Sequence, residues 1–238
     1  MQAITFIREL EGLQKTVIGL SDVTKIIGKG RDYAKVYVNR LAKRNLLHEV
    51  EKGKYTLSED PHEIGSNLVF PSYISFITAY SLYGFTTQIP IIAQIVSPKS
   101  KKTLEIGKIK IIFIKFKNEN IFGYHREKFR KKHMFIAEPE KAIIDSLYLP
   151  EQCPISESYQ ALGENIDISK LVEYALRMSS IVAIKRLGYL LELHGQDIYD
   201  KVAHMLNKKY DLLNPFMKKS KINSSKWKLN VNEVFESE

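Results

Sequence analysis

Between Gly30 and Leu57 the chain gathers side chains suited to holding a polyanion: Tyr33, Lys35, Tyr37, Asn39, Arg40, Lys43 and Arg44, then Lys52 and Lys54. Lys and Arg neutralise phosphates, while Arg, Asn and Tyr can hydrogen-bond or pack at the groove edges of a duplex. Through residues 32–45, Ala34, Val38, Leu41 and Ala42 recur at three-and-four spacing. One helix can therefore bury these residues and turn the polar set outward. A solvated amphipathic helix has the same pattern, so the flanking segments decide between the two readings.

After that helix, apolar-rich runs over residues 46–50 and 54–57 flank Glu51, Lys52 and Gly53. Gly53 can take the positive φ of a tight hairpin turn. Before the helix, residues 20–28 read as a shorter helix with Ser21 as N-cap and Gly28 as stop signal. A first helix over residues 2–13 would pack Ile4, Phe6, Ile7 and Leu10 beneath the pair. The sum is a winged helix-turn-helix over residues 1–60. Tyr33, Lys35, Tyr37, Asn39 and Arg40 are its base or groove-edge candidates, and Lys43, Arg44, Lys52 and Lys54 its phosphate clamps.

A unit of 60 residues leaves most of the 238-residue chain unexplained. The net charge of +9 favours an anionic partner. A single cysteine, Cys153, rules out an internal disulfide and a Cys-based zinc site, and fits a reducing compartment. The first residues lack the pattern of a signal peptide, and nowhere do eighteen apolar residues run together. The expectation is a soluble cytoplasmic protein without membrane contact.

Residues 60–67, polar and containing Pro61 and Gly65, read as a connector between domains. A second domain over 67–238 follows, giving an α+β chain. Its first part, 67–150, reads as a mixed α/β unit. It has a helix from Pro71 to the stop at Gly84, strands within 88–96, 108–117 and 121–124, and a basic loop at 98–102. A helix over 138–148 places Lys141 and Asp145 four apart, as a surface pair. Whether the sheet is parallel, antiparallel or mixed stays open. The second part, 151–238, is mainly helical over 162–179, 181–194 and 197–206. A terminal strand follows, where Trp227, Leu229 and Val231 alternate.

Four stretches resemble the AbiEi family, the antitoxins of type IV toxin–antitoxin systems of abortive infection. They are the wing region with Leu41-Ala42-Lys43-Arg44-Asn45-Leu46-Leu47 and Gly53-Lys54-Tyr55; residues 75–90; Glu140-Lys141-Ala142-Ile143-Ile144-Asp145; and Lys185-Arg186-Leu187-Gly188-Tyr189-Leu190-Leu191 with Trp227-Lys228-Leu229. The resemblance implies an N-terminal DNA-binding domain and a C-terminal antitoxin domain. It further implies autorepression through inverted repeats in the chain's own promoter, and opposition to a nucleotidyltransferase-like toxin without need of a stable complex. One departure is Asn45, where the family usually has Gly ahead of the wing.

No HExxH, GxSxG or phosphate-loop pattern appears, so the reading is a non-enzyme without cofactor or metal. His125 and His133 flank a basic run over 126–132, either a second phosphate- or partner-facing patch or a solvated loop. Arg186 and Trp227 read as structural, and Cys153 as an unactivated thiol. The alternative function is a protein- or RNA-interaction module with a merely structural winged domain. Duplex binding by a fragment of residues 1–65 would separate the two readings. A catalytic antitoxin, losing activity on mutation of Asp145 or Glu140, is a third class.

Overall fold

In the computed structural model, which describes residues 1–129 and 132–235, apolar side chains gather into two cores. The smaller includes Phe6, Leu10, Val23, Val38, Leu47 and Tyr55. It is built from α1 (Ala3–Gly12), β1 (Val17–Gly19), α2 (Leu20–Ile27), α3 (Arg31–Lys43), β2 (His48–Glu51) and β3 (Lys54–Thr56). The strands form an antiparallel sheet in the order β1-β3-β2, and the unit is a winged helix-turn-helix. β1 lies in a stretch the sequence left unassigned. Within α1, Phe6 and Leu10 are buried while Ile4 is 73% exposed, so Ile4 does not join the core as expected. Nor does Ser21 cap α2. Gly19 occupies the N-cap, and its N–H donates to the Asp22 carboxylate at 3.0 Å.

The larger core begins in the stretch expected to be a connector. Asp60 accepts from the N–H groups of His62 and Glu63, Pro61 takes the first turn, and the chain forms α4 (Pro61–Leu68). A Cβ on Gly65 would lie 3.0 Å from side-chain carbons of Ile95 and Ile111, so glycine lets this helix press onto a sheet. The polar composition of 60–67 is helix-capping chemistry here. A fragment ending at residue 65 would cut α4 in two.

That sheet has six strands: β4 (Tyr73–Ile74), β5 (Ile92–Ser97), β6 (Leu104–Ile106), β7 (Ile109–Lys115), β8 (Tyr124–Phe129) and β9 (Lys132–Ala137). Their order is β6-β7-β5-β4-β9-β8. β4 runs parallel to β9 and β5 to β7, and the other neighbours are antiparallel, so the sheet is mixed. The helix expected from Pro71 starts only at Phe76: Tyr73 and Ile74 are central strand residues, and α5 (Phe76–Tyr83) follows, ended by Gly84 at φ +80. Alternation along β5 sends Ile95 towards α4 and the Gln94 amide, whose Oε1 accepts from Thr78 Oγ1, towards α5, so helices cover both faces.

Helix α6 (Pro139–Tyr148) is buried from Glu140 through Leu147. Lys141 and Asp145 do pair, but both side chains are 0% exposed rather than on the surface. Asp145 also accepts from Ser75 Oγ at 2.8 Å and Tyr73 OH at 3.1 Å, while Lys141 Nζ lies 4.6 Å from the Phe122 ring centroid and 5.3 Å from that of Phe116. Burial lowers the Lys141 ammonium pKa and raises the Asp145 carboxyl pKa, and their mutual attraction opposes both shifts.

Helices α7 (Ile155–Leu162), α8 (Ile168–Met178), α9 (Ile181–Leu193) and α10 (Tyr199–Val202) complete the body, followed by short strands β10 (Asp211–Leu212), β11 (Asn223–Ser224) and β12 (Leu229–Asn230). α9 holds this last segment through neighbouring cations. Lys185 donates to Asn207 and Asp211, each at 2.7 Å; Arg186 donates to the carbonyls of Leu213 at 2.9 Å and Leu147 at 2.8 Å. Trp227 is fully buried, donates through Nε1 to Glu192, and rests where α9 carries Gly188. Cys153 is buried, which pushes its thiol up to about 12. Among the described residues no helix is long and apolar enough to cross a membrane.

Two stability outcomes follow. Asp145→Ala strands a buried ammonium and is expected to cost about 3–5 kcal/mol in urea unfolding. Lys141→Met/Asp145→Asn keeps an acceptor for Tyr73 and Ser75 and should cost less than the sum of its single variants. Strict additivity would show the two groups are not coupled. In Gly188→Ala, the new methyl meets the Trp227 ring, and a loss of at least about 1–3 kcal/mol is expected. An unchanged thermal midpoint would place Trp227 elsewhere.

Candidate nucleic-acid interface

The surface singled out by the sequence is set by its buried underside. Ala34, Val38 and Leu41 fix α3 on the small core, leaving Arg31, Tyr33, Lys35, Asn39, Arg40, Lys43 and Arg44 exposed. Gly28 at φ +62 and Gly30 as N-cap turn the chain sharply from α2 into α3. At the other end Asn45 takes φ +54, and Leu46 N–H donates back to Leu41 O at 3.1 Å. Asparagine tolerates this left-handed position better than most residues, so the turn into the wing forms without glycine.

Among the described residues, none of Arg31, Lys35, Arg40, Lys43 and Arg44 is in an ion pair. The face therefore carries uncompensated positive charge. Asp32 is its acid, in the first turn. Arg31 escaped the sequence reading because it sits at the helix start, outside the apolar periodicity used to find the face.

The remaining site residues divide. Tyr33 is 50% exposed and stacks on Tyr37 with ring centroids 6.3 Å apart. Tyr37 faces inward as much as outward: its ring meets Phe6 edge-on at 5.2 Å and its hydroxyl donates to the Met1 carbonyl. It anchors α1 to α3. In the wing, Gly53 at φ +75 makes the turn, and its N–H donates to Glu49 at 2.9 Å. Lys52 beside it is exposed and unpaired among the described residues. Lys54 differs from expectation. Its ammonium donates to the Leu68 carbonyl at 3.0 Å and pairs with Glu51 at 3.1 Å, so it is already satisfied inside the chain.

Glu51 holds the wing to the body. Both of its carboxylate oxygens accept from Lys101, at 2.7 and 2.8 Å. The Lys101 hydrogen bond, aided by Lys54 and opposed by partial burial, keeps the Glu51 pKa below its ordinary value. Glu63 of α4 makes a second tie, accepting from Thr16 Oγ1 at 3.1 Å and Ser58 Oγ at 2.5 Å. Nothing local in the sequence announces Glu51–Lys101, since its partners lie fifty residues apart.

The second basic run lies on the β8–β9 hairpin. Arg126 donates to Gln14 O at 3.0 Å, His125 lies 3.3 Å from Glu127, and the His133 backbone bonds Glu63 and Asn67. Arg130 and Lys131 lie outside the described residues. Where it is described, this run braces the winged unit against the body.

The chain matches no protein-family profile, and no curated protein matches it in sequence. Its fold is similar to that of the Rv2827c protein from Mycobacterium tuberculosis, known from a crystal structure, with a TM-score of 0.56 over 93% of this chain and 89% of that one. At 14% identity the likeness is one of fold.

The Glu51 latch has a testable pH dependence. A carboxylate with a lowered folded pKa stabilises above its unfolded value, near 4.3, and loses that contribution as pH falls through the folded value. The latch is therefore complete at neutral pH and released in acid. Carboxyl titration by NMR should give Glu51 a midpoint below ordinary glutamate, and Lys101→Met should move it up. An unmoved midpoint would mean the pair does not form in solution.

Proposed function

We propose that the chain is an antitoxin-type transcriptional autorepressor. It binds inverted repeats in its own promoter with α3 in the major groove and the wing along the backbone. The supporting observation is the set Lys35, Arg40, Lys43 and Arg44, exposed and without ion-pair partners among the described residues, on the second helix of a helix-turn-helix, with Lys52 at the tip of the adjoining wing. Asn39, Arg40, Tyr33 and Lys35 are the edge readers in this reading. Lys43, Arg44 and Lys52 are phosphate clamps, while Tyr37 and Lys54 hold the reading surface in place. Repression is by occlusion of the promoter, and the body opposes a nucleotidyltransferase-like toxin encoded beside it. That second half rests on the resemblance to AbiEi antitoxins, whose motif residues Lys141, Asp145, Arg186, Gly188 and Trp227 lie buried in the body.

A second reading, the body as a protein- or RNA-interaction module, is favoured by one surface. Between β10 and β11, Phe216 is 67% and Ile222 60% exposed, beside exposed Lys218, Lys219 and Lys221. An apolar and cationic loop of this kind fits an acidic partner.

The experiment is a salt-titrated gel shift of the full chain on the DNA upstream of its own gene and on a scrambled duplex. Lys52→Ala should lower the salt slope by about one and weaken both duplexes alike; Asn39→Ala or Arg40→Ala should cost about 1–3 kcal/mol on the native fragment alone. Equal, salt-sensitive binding to both duplexes would reduce α3 to a general polyanion surface and leave the second reading.

A further inference from the structure

We infer that the loop of residues 98–102 continues the wing's phosphate-binding track onto the body, so that duplex DNA is gripped beyond the winged unit. This rests on the DNA-binding reading above and adds a contact that reading does not contain.

Glu51 lies between two lysines, Lys101 of the loop and Lys54 of the wing. It compensates those two cations and ties the loop to the wing. The loop is also shaped from within: Ser97 Oγ donates to Lys99 O at 3.0 Å and accepts from Lys99 N–H at 3.2 Å. Lys101 is covered on its other side by Phe113, with Nζ 5.9 Å from the ring centroid. Its side chain is only 15% exposed.

Lys99 and Lys102 flank this anchored residue and differ from it. Both are exposed, and neither has an ion-pair partner among the described residues. The latch thus consumes the inner lysines and leaves Lys52, Lys99 and Lys102 as uncompensated charge on adjoining elements. Three residues of chain span at most about 10 Å. A duplex carries about six phosphate charges over that length of axis, which is ample for both lysines. Like charges on adjoining elements repel one another in the free protein, and a polyanion relieves that repulsion. Point charges on flexible stems suit phosphate rather than base edges. The contact should strengthen binding without altering sequence preference.

The test uses the full chain and a duplex carrying the upstream DNA with flanks extended on both sides, beside a scrambled duplex of equal length. Lys99→Ala/Lys102→Ala should lower the salt slope by about two, weaken both duplexes equally and leave their affinity ratio unchanged. Lys218→Ala/Lys219→Ala removes the same charge from the β10–β11 loop and should leave the slope as in the parent. An unchanged slope in Lys99→Ala/Lys102→Ala, with the parent still preferring its own DNA, would overturn the extended track and leave the α3 reading standing. An equal fall in both double variants would also overturn it, by reducing the effect to bulk charge. No duplex binding by the parent would remove both proposals together.

Discussion

The body of the protein is arranged around one buried ion pair, Lys141 with Asp145. Removing two charges from water costs several kcal/mol per ion, and an interior pair repays this only when its remaining polar valences are filled. Here they are filled by the neighbours: Ser75 and Tyr73 donate to Asp145, and aromatic faces of Phe122, Phe116 and Tyr73 surround the ammonium. Those partners come from β4, the turn before α5, the sheet's connections and α6 itself. The pair therefore fixes how α6 is rotated against the sheet, since any other rotation leaves a charge unpaired in the core. Such a pair adds little over a well-packed apolar substitute, yet breaking it by removing one partner is costly. Arg186 extends the constraint, because its guanidinium bonds the Leu147 carbonyl at the end of α6 and Leu213 of the terminal segment.

The winged unit depends on electrostatics of another kind. Its ties to the body, Glu51 with Lys101, Lys54 with Leu68 O, Glu63 with Thr16 and Arg126 with Gln14 O, lie at the margins of the two cores. Partly exposed bonds of this sort contribute little each, but they share a direction. Acids near the junction face neighbouring lysines and hydroxyls, while the cations of α3 and the wing turn have no ion-pair partner among the described residues. An excess of positive charge is thus concentrated on one side by where the few acids are placed.

Much of the winged unit was legible because its signals are local. The spacing of Ala34, Val38 and Leu41, and the glycines at 28 and 53, act within a few residues. The body hid more, for three physical reasons. Residues 60–67 look like a connector because Asp60, Pro61 and Gly65 are loop formers in isolation; capping and the close approach to Ile95 and Ile111 make them a helix. Tyr73 and Ile74 were absorbed into the next helix because a two-residue strand has no periodicity of its own. Lys141 and Asp145 were placed at a surface because charged pairs four apart usually are, and only the aromatic shell around them, drawn from distant segments, reverses that. Lys54 followed the same pattern, since its partner Leu68 O belongs to a helix that the sequence did not reveal.

Most of the residues that carry the resemblance to AbiEi antitoxins lie in the body, and Lys43, Arg44 and Lys54 are shared with the surface proposed to meet DNA. Lys141, Asp145, Arg186, Gly188 and Trp227 are interior, and their requirements are steric and dielectric: a ring that leaves no room for a Cβ, a charge that needs its counter-ion. Tyr33, Lys35, Asn39 and Arg40 meet solvent, where substitution costs the fold little. A chain built in this way can change the exposed face of α3 while keeping its body. Interior chemistry restricts which sequences fold, whereas the exposed face of α3 is free to vary and, under the proposed function, to follow a particular operator. Under the proposed function, specificity therefore has to be sought on the exposed faces of α3 and the wing, not in the interior residues that hold the body together.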